Sequence, residues 1–202
     1  MKLSLGKKAI LLVLIVLLFD QSVKFYIKTH LIISGQGIRI FKWFYILFTE
    51  NNGMAFGMEF GGQAGKLILT IFRMVAIVGI AWYLIHITKN KVHSGFVLSI
   101  ALILAGAIGN LIDSMFYGII FTDSYGQIAH FLPHGGGYSS FLHGKVVDML
   151  YFPIIDTHFP SWFPYWGNEQ FIFFRPVFNI ADSSITIGVI IILLFQRKFF
   201  SR

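Results

Sequence analysis

The sequence predicts an all-α membrane protein: a four-transmembrane-helix bundle with both termini in the cytoplasm and a small extracytoplasmic β-rich segment after helix 1. Three observations carry this. Hydrophobic residues make up 56% of the 202-residue chain and charged residues only 12%, too little charge to cover a soluble domain. The apolar residues fall into runs at about 9–27, 67–88, 95–113 and 176–196, each long enough to cross about 30 Å of hydrocarbon. Basic residues cluster before the first run (Lys2, Lys7, Lys8), between the second and third (Lys89, Lys91) and after the fourth (Arg197, Lys198, Arg202). These are cytoplasmic positions by the positive-inside rule. The net charge of +7 is therefore an orientation signal, and no nucleic-acid partner is expected. Absence of cysteine excludes a disulfide framework, a thiol nucleophile and a thiolate metal site.

Taken in order, Lys7, Lys8 and the apolar run from Ala9 begin like a signal peptide. No small-residue cleavage site follows, so the run reads as an uncleaved helix. Asp20 lies about 18 Å along it from Lys8, with Lys24 on the same face at i+4. Residues 31–60 break the helical pattern. Ile38 to Phe48 is aromatic and β-branched, reading as one or two strands outside the hydrocarbon. Asn51-Asn52-Gly53 is a turn signal. Arg73, near the start of the second run, is placed to snorkel to the interface. The whole chain, 1–202, reads as one membrane domain with an extracytoplasmic insertion at about 115–175.

Asp113, Asp148 and Asp182 are the costly residues. A carboxylate within hydrocarbon costs about 2.5–3.5 kcal/mol and usually faces a bundle interior or a wet cavity. The orientation puts Asp113 at the outer end of the third helix. If the last helix opens at Pro176, Asp182 lies about two turns inside it. Asp148 sits in Lys145 to Phe152, too apolar for a solvated loop. Asn110 with Asp113 and Asn179 with Asp182 repeat one spacing, which puts each pair on one helical face. Neighbouring carboxylates share a proton, and such a pair can activate water for amide hydrolysis without a metal. Membrane carboxylates also mark ion paths, so a small membrane carrier or proton relay is the alternative. A scaffold pinned by polar contacts is a third reading.

Gly109-Asn110-Leu111-Ile112-Asp113, Val146-Val147-Asp148 and Phe178-Asn179-Ile180-Ala181-Asp182 resemble, in that order, motifs of lipoprotein signal peptidase (signal peptidase II). Asp20 with Lys24, and Asn52-Gly53-Met54-Ala55-Phe56-Gly57, are similar to its earlier motifs. The resemblance implies an intramembrane aspartyl endopeptidase that removes the signal peptide from diacylglyceryl-modified prolipoproteins, cutting before the lipidated cysteine. It implies Asp148 and Asp182 as the catalytic pair. Asn52, Gly53, Asn110, Asp113, Asn179, Ala181, Asp20 and Lys24 would support the site or bind substrate. The segment at 31–60 would be the family's β-cradle. No metal and no cofactor are implied; the partners are prolipoprotein and membrane lipid, and the chain reads as a monomer of the bacterial inner membrane with its site at the outer leaflet.

The chain departs from the family pattern twice. Ser114 stands where the family has Arg, leaving Arg73 or Lys145 to meet the lipid head, so Ser114→Arg is expected to alter mainly substrate affinity. Asp148 follows Asp113 by 35 positions, a much longer gap than the family's, and 156–175 adds an aromatic segment suited to the membrane interface. His130, His134, His143 and His158 offer donors for a metal, but Pro133 and three following glycines break the helix that would align the first two. Gly137-Tyr138-Ser139-Ser140 has no histidine at serine-protease spacing.

Overall fold

The computed structural model describes residues 3–33, 35, 37–53, 61–90 and 92–200. Lys2, Lys91, Arg202 and motif residues 54–57 lie outside the described residues. Helices α1 (Leu5–His30), α2 (Gly62–Lys89) and α3 (Ser94–Ile112) are followed by a π-helical turn (Asp113–Tyr117) and the short α4 (Gly118–Ile120). Strand β1 (Ile38–Phe41) and β2 (Phe44–Asn51) lie between α1 and α2. Strands β3 (Val146–Tyr151), β4 (Ile155–His158), β5 (Gln170–Phe173) and β6 (Val177–Phe178) precede α5 (Ile180–Phe200). Among the described residues, four helices, counting α3 through α4 as one, are long and apolar enough to cross a membrane.

Half of the α3 span is buried, against 17% or less of the others. It is the axis on which α1, α2 and α5 pack. Close approach needs small residues: a Cβ on Gly109 would stand 2.7 Å from the Asp20 carboxylate, and one on Gly106 would strike the Ala181 carbonyl. The outer helix faces carry Leu18, Phe72 and Leu194, each more than half exposed, as lipid-facing surfaces require. At one end Ala9, Leu84, Ile87, Phe96 and Val97 form an apolar cluster with Leu5 and Phe199. Both chain ends and the α2–α3 connection are gathered there.

At the other end β1-β2-β3-β6 form an antiparallel sheet, while β4 and β5 form a separate hairpin. The stretch expected to give one or two strands gives two, β1 and β2. The second of them, β2, also pairs with β3, which comes from the apolar stretch around Asp148, with Thr49 opposite Asp148 and Asn51 opposite Val146. Strand alternation sends Val147 and Met149 into a core with Ile27, Phe48, Tyr117 and Phe121, leaving Val146 and Asp148 on the opposite face.

The last helix opens later than the sequence suggests. Val177 and Phe178 pair with β3, and the helix starts at Ile180, so Asp182 lies in its first turn rather than two turns inside. The long connection after α3 runs out and back. Phe121 bridges Phe131, Ser139 N–H donates to Gly118 O at 2.8 Å, and Gly144 N–H donates to Ser114 O at 2.9 Å. The chain thus returns to Asp113 before entering β3, and the extra residues need no rearrangement of the bundle.

Candidate active site

The site is built from the ends of α3, α5, β2 and β3. Asn179 caps α5: its Oδ1 accepts from Asp182 N–H at 2.8 Å, and Asp182 Oδ2 accepts from Asn179 N–H at 3.4 Å. This is the reciprocal geometry of a capping box, which fixes the Asp182 carboxylate at the positive end of the helix dipole. The same Asn-x-x-Asp spacing at 110–113 does something else. There the π-helical turn begins at Asp113, and the two side chains meet at Lys24 instead of capping a helix.

Asn110 Nδ2 donates to Asp182 Oδ1 at 2.7 Å. Asn179 Nδ2 donates to Asp148 Oδ1 at 2.8 Å and lies 3.0 Å from Asn110 Oδ1. Two asparagines in contact therefore hold the two carboxylates, one each. Asn51 Nδ2 donates to the second oxygen of Asp148. Burial and the nearby Asp182 push the Asp148 carboxyl up to about 7, against the opposing pull of Lys24 and the bonds from Asn51 and Asn179. Asp148 and Asp182 both line a cavity of about 660 Å³, together with Asn51, Gly53, Arg73, Asn110 and Arg175.

Asp113 does not line that cavity. It is fully buried behind it with Asp20 and Lys24. Lys24 Nζ lies 2.9 Å from Asp20 and 2.8 Å from Asp113, and donates to Asn110 Oδ1 at 3.0 Å. The remaining carboxylate oxygens are also occupied. Gln21 donates to both acids at 3.0 and 2.9 Å. Ala181 N–H donates to Asp20 at 2.9 Å and Val147 N–H to Asp113 at 3.2 Å. Asp20 thus satisfies a free N–H at the start of α5, while Asp113 pins the strand that carries Asp148.

Several residues differ from their expected places. Asn52 accepts from Lys66 Nζ at 2.9 Å through its carbonyl and borders a separate cavity; its neighbour Asn51 is the one that bonds Asp148. Gly53 has φ +93°, and a Cβ there would stand 2.6 Å from Arg73 Nη1, so glycine serves both the turn and the close approach. Arg73 turns inward, with Nη2 donating to Gly53 O and Nη1 to Ser114 Oγ at 3.3 Å. Ser114 is fully buried and lies also 3.5 Å from Lys66 Nζ. An arginine at 114 would meet two cations in a closed space, so a packing cost is expected beside the change in substrate affinity. Lys145 lies 3.7 Å from Glu50, away from the carboxylate pair.

The family model described as Signal peptidase (SPase) II matches residues 12–198. A lipoprotein signal peptidase of Porphyromonas gingivalis is 48% identical over 194 residues, covering 96% of this chain and 84% of its own. That of Amoebophilus asiaticus is 37% identical over 187 residues, 91% of this chain and 75% of its own. Among solved structures, a bacterial membrane enzyme determined by the in meso method at 1.9 Å resolution is similar at 26% identity with TM-score 0.60. The likeness covers 95% of this chain and 94% of that one. A second, at 2.3 Å, gives 27% identity and TM-score 0.57, covering 96% and 90%.

Proposed function

The chain belongs to the signal peptidase II family, and from that premise we propose that Asp148 and Asp182 are the pair with which it cuts its substrate. The activity is that of an aspartic endopeptidase of the membrane, processing the signal peptides of lipid-modified prolipoproteins. The protein is a multi-span component of the bacterial inner membrane.

The observation that carries the dyad is the asparagine pair: Asn110 and Asn179 touch each other and each holds one carboxylate at the same cavity. Asp148, whose proton is held up to about pH 7, serves as the acid, and Asp182 as the base. Asp182 takes a proton from water as its oxygen attacks the carbonyl carbon. Asp148 gives its proton to the carbonyl oxygen. Collapse of the tetrahedral species then breaks the C–N bond: the Asp182 proton passes to the leaving amine, and a hydroxyl proton of the new carboxyl group returns to Asp148, restoring both residues.

The site belongs at the outer leaflet. Lys7, Lys8, Lys89, Arg197 and Lys198 mark the opposite end as cytoplasmic, and the sheet and cavity cap the other end. Lipid reaches the cavity sideways in this reading. Arg73 on α2 and Asp182 on α5 both line it, while α2 and α5 pack on α3 and scarcely touch each other. Acyl chains can lie in that gap, each buried CH₂ contributing about 0.8 kcal/mol, with the peptide bond just before the lipidated cysteine presented to the dyad. Cleavage in one detergent of matched precursors, with and without the diacylglyceryl group, tests this. Turnover confined to the lipidated precursor is expected; equal rates would remove lipid from recognition.

A further inference from the structure

Arg73 is a cation in a membrane span, and among the described residues no carboxylate contacts it. Among the described residues, Lys24, Lys28 and Lys145 make the ion pairs, whereas the guanidinium of Arg73 bonds only neutral oxygens, Gly53 O and Ser114 Oγ. Those contacts employ two of its five N–H donors. They fix the planar group in the wall of the cavity that holds Asp148 and Asp182. A charge inside a membrane protein is costly and usually paired. Counted among the described residues, three donors and the positive charge remain for whatever enters the cavity.

Resting on the dyad reading above, we propose that Arg73 is the oxyanion ligand of the reaction: its guanidinium binds the carbonyl oxygen of the scissile bond and meets the negative charge that develops on it. The chemistry requires such a group. Attack of water puts electron density on that oxygen before proton transfer is complete. A preorganised donor in a water-poor site is worth more there than in solution. Asn51, Asn110 and Asn179 already spend their amides on the carboxylates and on each other. Arg175 also lines the cavity but is exposed, so its field is screened. Arg73 is held from two sides, by the turn after β2 and by the π-helical turn after α3, which keeps it in place while substrate binds.

The test compares the purified full-length protein with Arg73→Gln and Arg73→Lys, using two probes. One is a lipidated peptide carrying a phosphinate in place of the scissile amide, a stable anion with tetrahedral geometry. The other is the lipidated cysteinyl product. Arg73→Gln is expected to lower kcat by about 10²–10³-fold and to weaken phosphinate binding comparably. Product affinity should change less than about threefold, because transition-state contacts exceed ground-state ones. If Arg73→Gln does not fold, Arg73→Lys decides: phosphinate affinity reduced with product affinity kept supports the assignment. Equal loss for both probes in the folded variants, or unchanged kcat in Arg73→Gln, overturns it and leaves Arg73 a structural tie. Asp148→Asn, run alongside, separates the two ideas. If Asp148→Asn is inactive while Arg73→Gln works normally, only the oxyanion role fails; if Asp148→Asn turns over, the dyad fails first.

Discussion

Two groups of polar residues lie side by side in this bundle and differ in one respect. Behind the wall, Asp20 and Asp113 clasp Lys24, every carboxylate oxygen has a donor, and nothing opens to the cavity. In front, Asp148 and Asp182 hold only amide and backbone donors and face open space. Asn110 belongs to both, accepting from Lys24 and donating to Asp182. Among the described residues a cation contacts the rear carboxylates and none contacts the front pair, which on the reading proposed above is the pair that exchanges a proton. Residue type does not distinguish them; the partner does.

The comparison can be broken from the rear. Lys24→Met leaves two buried carboxylates facing each other without a counter-charge, and removing one partner of a buried pair costs about 3–5 kcal/mol. Thermal unfolding in detergent should show a large drop in midpoint, with little folded protein recovered at neutral pH. A midpoint near that of the unaltered protein would mean that the hub is not a structural tie.

A smaller effect is expected where the two regions meet. Ser114→Arg inserts a long cation beside Lys66 and Arg73 at a position with no exposed surface. Overpacking of this kind costs about 1–3 kcal/mol, with like-charge repulsion added. Lower thermal stability should therefore accompany any change in substrate affinity; affinity changing alone would argue that the pocket at 114 opens readily.

The mildest prediction concerns pH. The folded Asp148 carboxyl sits near 7, above the ordinary carboxylate value of 3.8, so between those limits the folded state binds the extra proton. Its contribution to stability is full below about pH 4 and falls as pH rises toward 7. Unfolding midpoints should accordingly decline between pH 4 and 7 more steeply in the unaltered protein than in Asp148→Asn. Turnover should fall above about pH 7 as the acid loses its proton. Parallel midpoint profiles for the two proteins would contradict the raised value.

Much of this arrangement is legible in the chain. Hydropathy marks the four spans because a bilayer imposes a length that sequence must meet, and the ordered motifs around Asp20, Asn110, Asp148 and Asp182 point to the residues that converge. What escapes is non-local. The pairing of Thr49 with Asp148 depends on a strand far along the chain, and no local pattern gives its register. Pro176 reads as a helix start, yet Val177 and Phe178 find a better use of their backbone groups on β3. That Asn51 reaches Asp148 depends on the bend of the backbone at the end of β2, which no local pattern gives. Lys28 and Glu50, buried with Ser124 beneath Phe121 and Tyr138, meet only after the sheet has formed.

The most direct measurement is single-turnover cleavage of a diacylglyceryl-modified prolipoprotein by purified Asp148→Asn, Asp182→Asn and Asp113→Asn, each scored only on protein that unfolds cooperatively. Each front variant should lose at least about 10³-fold in rate, since a two-carboxylate mechanism needs both acid and base. Folded Asp113→Asn, whatever its stability, should keep a substantial rate. Substantial turnover by Asp148→Asn or Asp182→Asn, or complete loss in folded Asp113→Asn alone, would place the chemistry in the rear group and contradict the account.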